Sequence, residues 1–250
     1  MRVLSIDVGI KNLSFCLFNG NIIEKWDNIN LLDEFKCECL KPAKYARDNK
    51  WYCLKCAKKT AYIIQDKKIA LSKYKLNELI VLANKYNIIT SGKRDNLILL
   101  LNEYFKSNCL IPIPKKNAAF VDLITIGINL KTKFNTILGD CLNNIDAVII
   151  ENQIGPLANK MKTLQGMISQ YFIMNNIHHI EFISACNKLK DFTIEKMDYK
   201  QRKKFGIQKC LEIISNSENN EWLPIFNQNN KKDDLSDCFL QGLWYITHKL

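Results

Sequence analysis

Ten residues near the start, Val3-Leu4-Ser5-Ile6-Asp7-Val8-Gly9-Ile10-Lys11-Asn12, most constrain what this 250-residue chain folds into. An apolar run of strand-forming residues carries one carboxylate near its end, breaks at Gly9, and resumes as a second apolar run from Leu13 to Phe18. That pattern predicts a hairpin with an acid at its mouth. Burying a carboxylate without a partner is costly, so Asp7 either meets a cation or sits at an open edge. Taken alone, the stretch also fits a solvated turn aspartate.

Two other acidic sites share this setting. Asp146-Ala147-Val148-Ile149-Ile150-Glu151-Asn152-Gln153 reads as a short, fully apolar strand ending in a carboxylate. Lys231-Lys232-Asp233-Asp234-Leu235-Ser236-Asp237 opens the last amphipathic helix, where Asp234 and Asp237 are three apart and share a face. Four carboxylates brought to one point repel each other unless a divalent cation neutralises them, so the pattern predicts a metal site. Asp233 reads as a cap of that helix or as support for a neighbouring lysine.

In that order, Ile-Asp-Val-Gly-Ile-Lys-Asn, Ile-Ile-Glu-Asn-Gln and Lys-Lys-Asp-Asp-Leu-Ser-Asp resemble the RuvC-like branch of the RNase H-fold nucleases. Within that branch they are most similar to the Holliday junction resolvases of poxviruses, other large DNA viruses and fungal mitochondria. The resemblance covers residues 1 to about 30 and about 117 to 250. It implies an α/β fold: an RNase H-like mixed five-stranded sheet flanked by helices, with an inserted small zinc and helical module. The expected divisions are 1–32 and 117–250 for the core, 33–70 for a zinc-binding insertion and 71–110 for a SAP-like helical DNA-binding insertion. The resemblance further implies that Asp7, Glu151, Asp234 and Asp237 bind two magnesium ions, with manganese as a substitute. The implied activity is paired nicking of four-way junctions and other branched DNA by a homodimer, leaving 5′-phosphate and 3′-hydroxyl ends. Hard oxygen ligands suit magnesium better than zinc.

Composition agrees with such a partner. A hydrophobic fraction of 47% is ample for a packed interior, and a net charge of +11 with a pI near 9.1 attracts polyanions, nucleic acid before an anionic membrane. No secretory signal or membrane-spanning run is read. Ten cysteines without a signal peptide, four of them clustered, point to reduced thiols and a metal rather than a disulfide framework. The expected location is a reducing intracellular compartment: the viral replication site in host cytoplasm, or a mitochondrion or nucleus if the protein is cellular.

The insertion has two parts. Cys37, Cys39, Cys53 and Cys56 form two close pairs of soft ligands suited to a closed, structural zinc site, although the first pair is spaced by one residue rather than the commoner two. Lys41 to Trp51 between the pairs reads as a loop or ribbon. From Leu71 to Phe105 two short amphipathic helices flank a breaker at Gly92. Lys-Leu-Asn-Glu-Leu followed by Ile-Thr-Ser-Gly-Lys-Arg-Asp-Asn-Leu-Ile resembles a SAP motif, which implies phosphate contacts from Lys73, Lys75, Lys93 and Arg94. A plain helical hairpin with solvated lysines is the alternative.

Elsewhere, strands are expected at about 2–8, 13–19 and 21–28 and at Ile180 to Ser184, with helices at about 117–143, 157–177, 200–216 and 234–249. Pro112-Ile113-Pro114 reads as a linker and Gly155-Pro156 as a turn. Lys11, Lys160, Lys162, Lys203, Lys231 and Lys232 are further candidate DNA contacts, with a solvated face as the plain alternative for Lys160 and Lys162. The basic stretch from Asp191 to Lys209, which includes Lys196, holds aromatics and is another candidate grip on DNA, with the solvated start of the helix at about 200–216 as the equal alternative. Two other readings stay open: a RuvC-type nuclease of the TnpB class, in which the zinc ribbon follows the glutamate, and a nuclease-inactive DNA-binding scaffold.

Overall fold

A computed structural model describes residues 1–32, 35–65, 69–88, 93–114, 118, 120–154, 159–192 and 197–250. The chain divides into two compact units, Met1–Asp33 with Lys116–Leu250, and Glu34–Lys115. Strands β1 (Arg2–Asp7), β2 (Leu13–Asn19) and β3 (Ile22–Ile29) form an antiparallel meander. Nearly all of β1 and β2 is buried, as expected of strands covered on both faces. The turn between them needs a glycine, because a Cβ at Gly9 would lie 2.2 Å from the Asn12 carbonyl oxygen.

The second unit contains β4 (Tyr45–Arg47), β5 (Lys50–Tyr52), α1 (Leu54–Ala57), β6 (Ile63–Ile64), α2 (Leu76–Lys85), α3 (Arg94–Asn108) and β7 (Cys109–Pro112). Its sheet runs β5-β4-β7-β6. Asp48 and Asn49, at φ 49° and 60°, make the two-residue turn between β4 and β5. Leu79 and Ala83 of α2 pack with Leu97, Leu101 and Phe105 of α3. The expected linker at Pro112 is corrected: Pro112 pairs with Tyr45, and the Ile113 amide donates to the Lys44 carbonyl at 2.9 Å. Proline is tolerated at such a strand end, where no ladder donor is lost.

The first unit resumes with α4 (Leu123–Leu138), β8 (Ala147–Glu151), α5 (Asn159–Met174), β9 (Ile180–Ile183), α6 (Tyr199–Ser215), α7 (Leu223–Gln228) and α8 (Lys232–Lys249). Helix α4 is shorter than its apolar periodicity suggested, because Asp122 caps it by accepting from the Thr125 amide at 2.8 Å. The Gly155-Pro156 turn, the Gly92 breaker, Lys196 and the expected starts of helices at 117 and 157 lie outside the described residues.

The sheet order is β3-β2-β1-β8-β9, with β8 parallel to β1 and β9 parallel to β8. This is the mixed five-stranded sheet expected from the sequence. Leu4, Ile6, Phe15 and Leu17 meet α4 and α5 through Leu130, Phe134, Ile168 and Phe172. Cys16, Phe18 and Trp26 meet α6, α7 and α8 through Cys210, Phe226 and Phe239. Side chains alternate across a strand, so Val3, Ser5 and Asp7 all point to the side opposite Leu4 and Ile6. On that side Val3, Ala147 and Ile149 pack against Tyr245 of α8. Gly242 lets α8 come close, since a Cβ there would lie 2.3 Å from Phe18 Cε2 and 3.0 Å from Ser5 Cβ.

Candidate active site

The parallel register pairs Ile6 with Ile150, so the residues that follow, Asp7 and Glu151, end neighbouring strands side by side on the α8 face. The first turns of α8 add Asp234 and Asp237 on one helical face. Beyond β9, whose Ile183 pairs with Glu151, a 3-10 turn over Ala185–Leu189 carries Lys188 back to the same point. Its ammonium lies 3.2 Å from Asp7 Oδ1, 3.3 Å from Glu151 Oε1 and 3.5 Å from Asp237 Oδ2. Lys188 is only 5% exposed, so this is a buried cation held by acids from three elements.

Sequence reasoning missed Lys188. The available signal was its position just past a strand neighbouring the glutamate strand, at the carboxyl edge where open α/β sheets gather their ligands. Recognising that required the parallel pairing of β8 and β9.

Burial is the main force on the acids. It pushes the Asp7 carboxyl up to about 7, against the lowering charge of Lys188 and with help from a hydrogen bond to Glu151. Burial also acts to raise Glu151, but the hydrogen bond from Asp7 and the Lys188 charge outweigh it and leave Glu151 below its ordinary value. The two neighbouring carboxyls are therefore shifted in opposite directions, Asp7 up and Glu151 down. Burial, with the charges of Asp233 and Asp7, pushes Asp234 up to about 6, and burial likewise raises Asp237. Burial works to lower Lys188, yet Asp7, Asp237 and Glu151 hold it above the ordinary lysine value.

These groups line a cleft of about 570 Å³ together with Tyr199, Arg202 and Lys203 of α6. Lys203 pairs with Asp233 and lies 3.9 Å from Asp234 Oδ1, so Asp233 supports a lysine while Lys231 takes the cap position. The donor set is all oxygen, preassembled around a positive charge, which fits a hard divalent cation. Among the described residues, the acids are not the group whose ligand atoms close to within 4.8 Å of one another; that group is the cysteine quartet.

In the second unit Cys39 Sγ lies 3.5 Å from Cys53 Sγ and 3.6 Å from Cys56 Sγ. A Zn–S bond of about 2.3 Å sets tetrahedral sulfurs about 3.8 Å apart, whereas a disulfide is about 2.05 Å long. The spacing therefore fits Cys37, Cys39, Cys53 and Cys56 as ligands of a tetrahedral thiophilic ion, with no open position. Backbone amides of Cys39 and Cys53 draw the Cys37 thiol down to about 6, while hydrogen bonding with the Cys39 and Cys53 thiols holds Cys56 up at about 12.

The other candidate lysines are dispersed. Lys160 donates to the Ala118 carbonyl at 2.9 Å and also to that of Val121, which engages its ammonium with backbone near the start of α4. Lys162 donates to Asn152 Oδ1 at 3.1 Å and sits over Phe182. Lys11 is exposed in the turn after β1, while Lys231 and Lys232 open α8. In the second unit Lys75 and Lys93 occupy the N-cap positions of α2 and α3, Lys73 lies in the 3-10 turn before α2, and Arg94 donates to the Ser72 carbonyl at 2.7 Å.

No family model matches the chain. An uncharacterized protein of Acanthamoeba polyphaga mimivirus is 27% identical over 316 aligned positions, covering 98% of this chain and 74% of that protein. The crystal structure of the fowlpox virus Holliday junction resolvase aligns over 100% of both chains at 16% identity, with a TM-score of 0.41. At that score the likeness decides neither fold nor activity. Among the described residues no helix is long and apolar enough to cross a membrane.

Proposed function

We propose that the chain is a divalent-metal-dependent endonuclease that resolves four-way DNA junctions. The observation that supports this best is the convergence of Asp7, Glu151 and Asp237, from three elements, on the buried ammonium of Lys188 at 3.2–3.5 Å. Asp7, Glu151, Asp234 and Asp237 would hold two magnesium ions, for which manganese substitutes, on an RNase H-like core of residues 1–32 and 117–250. When bound, the ions supply Lewis acidity toward the scissile phosphate and a more acidic attacking water.

The chain's own residues do the rest. Lys188 keeps the acids gathered, and it lines the cleft that a phosphate would enter. Arg202 and Lys203 line the wall along which the sugar–phosphate backbone lies, and Tyr199 offers it an aromatic face. A proton held on Asp7, whose carboxyl burial raises to about 7, has to leave before the acids can ligate together. In-line attack by water breaks the bond to the 3′ oxygen, which leaves with a proton as a hydroxyl while the phosphate stays on the 5′ side.

In the second unit, residues 33–70 hold structural zinc through the cysteine quartet, and residues 71–110 act as a SAP-like DNA-binding hairpin. Lys73, Lys75, Lys93 and Arg94 supply phosphate contacts there, while Lys11, Lys162, Lys203, Lys231 and Lys232 do so near the cleft. Lys160 joins them only if its backbone contacts are released. Two matched nicks call for a homodimer. Free thiols at the zinc site call for a reducing intracellular compartment, such as a viral replication site.

The test is cleavage of a synthetic four-way junction in magnesium by the native protein and by Asp7→Asn, with gel-shift binding alongside. Paired symmetric nicks by the native protein, and binding without cleavage by the variant, support the proposal. Binding without nicks by both leaves a DNA-binding scaffold, and cutting unaffected by Asp7→Asn places the active site elsewhere.

A further inference from the structure

Two glutamines lie buried where helices of the first unit meet its sheet. Gln241 of α8 is fully buried; its Nε2 donates to Ser5 Oγ at 3.2 Å and to the Ile6 carbonyl at 3.3 Å. Gln165 of α5 is 1% exposed, and its Oε1 accepts from the Gln153 amide at 3.0 Å. These partners fix both amide orientations, because a carbonyl needs a donor and an amide needs an acceptor. Each side chain then keeps one buried polar atom without a partner among the described residues, Oε1 of Gln241 and Nε2 of Gln165.

Leaving such an atom unpaired in the interior is destabilising, and an apolar side chain of similar shape would remove that cost. In each residue that cost is set against the hydrogen bonds the other end of the amide makes to Ser5, Ile6 or Gln153. Both grip the chain beside a strand-end acid. Ser5 and Ile6 immediately precede Asp7, and Gln153 follows Glu151 by two residues and donates its own Nε2 to Glu151 Oε2 at 3.4 Å. Gln241 also continues the helical stripe of Asp234 and Asp237, four residues beyond the second of them.

We propose that Gln241 and Gln165 are positioning residues for divalent-cation binding. Gln241 fixes the distance of Asp7 from the two acids of α8, and Gln165, acting through Gln153, orients Glu151. The proposal rests on the nuclease reading for its purpose, but its test does not depend on cutting.

Calcium binding to the full chain, loaded at its cysteine site, would be measured by calorimetry without DNA for the native protein, Gln241→Met and Gln165→Met, with Asp7→Asn giving the background. Thermal melting in chelator and the magnesium dependence of junction nicking would be recorded beside it. The expected result is calcium affinity at least about tenfold weaker in each variant, a higher magnesium requirement for nicking, unchanged junction affinity in chelator, and a cooperative melting transition that shows the variants folded. Calcium affinity within about twofold of native in both variants overturns the proposal, whatever happens to melting. If Gln241→Met does not fold, Gln165→Met, on a different helix, decides the matter by the same criterion. A native chain that binds calcium above the Asp7→Asn background but never nicks a junction overturns the nuclease reading and leaves the positioning role standing.

Discussion

The ammonium of Lys188 lies 3.2 Å from Oδ1 of Asp7, two residues 181 positions apart in the chain that meet in the interior. The lysine is the only cation among the described residues that reaches Asp7, Glu151 and Asp237 within 4.0 Å.

Replacing Lys188 with methionine leaves the buried carboxyl of Asp7 and the partly exposed carboxylates of Glu151 and Asp237 without their shared cation. Breaking such a group by removing one partner costs about 3 kcal/mol or more. The melting temperature in chelator is expected to fall by about 6–12 °C, and magnesium should restore most of that loss. Junction nicking at saturating magnesium should fall at least about 100-fold. A variant that melts like the native protein in chelator would show that the ion pairs contribute nothing.

Asp7 gives a pH dependence with a definite sign. Its folded value of about 7 lies above the ordinary value of 3.8, so between those limits the folded chain keeps a proton that the unfolded chain has lost. Stability from this residue is therefore highest at low pH, falls as pH rises through the window, and stays low above about 7. Asp7→Asn removes the burden of the ionised form. In chelator its melting temperature relative to native should be several degrees higher at pH 8 than at pH 5, as read by scanning calorimetry. An equal difference at both pH values would mean that Asp7 is already ionised at pH 5.

Zinc should be found at one ion per chain and be released by a mercurial reagent that titrates the four thiolates. Cys56→Ser should lose most of the zinc and open β4 and β5 to protease, because Cys56 lies in α1 directly after that hairpin. Structural zinc in small modules supplies about 10 kcal/mol or more of folding energy, so loss of the ion should be evident in melting as well. Normal zinc content in Cys56→Ser would remove this residue from the ligand set.

Gly242→Ala tests the approach of α8 to the sheet. The added methyl would meet Phe18 Cε2 at 2.3 Å and Ser5 Cβ at 3.0 Å, and the neighbouring contacts leave little room to move. The expected cost is about 1–3 kcal/mol, seen as a melting temperature lower by about 2–12 °C. An unchanged melting temperature would mean that helix and strand are less tightly apposed than these distances indicate.

Local signals reached only part of this arrangement. Asp7 and Glu151 were legible because each ends an apolar strand, and α8 because its apolar residues recur at helical spacing. Lys188 was not, because it is one lysine in a basic chain and its role depends on β9 lying parallel beside β8. The sheet of the second unit was hidden for a related reason. Its strands at 45–47, 50–52, 63–64 and 109–112 are two to four residues long, too short to show alternation, and two of them, 63–64 and 109–112, are joined only by pairing across long stretches of chain. The buried glutamines carry no sequence signal at all, since a glutamine within an amphipathic helix reads as its polar face.

The 34–115 unit is a single excursion that leaves after β3 and returns before α4, whereas β1, β8, Lys188 and α8 all lie outside it. Natural selection can therefore lengthen, recharge or replace that excursion without altering the spacing of the acids. In a lineage that keeps this topology, the two parts are free to diverge at different rates, and the sheet that holds Asp7 and Glu151 should be the slower of the two to change.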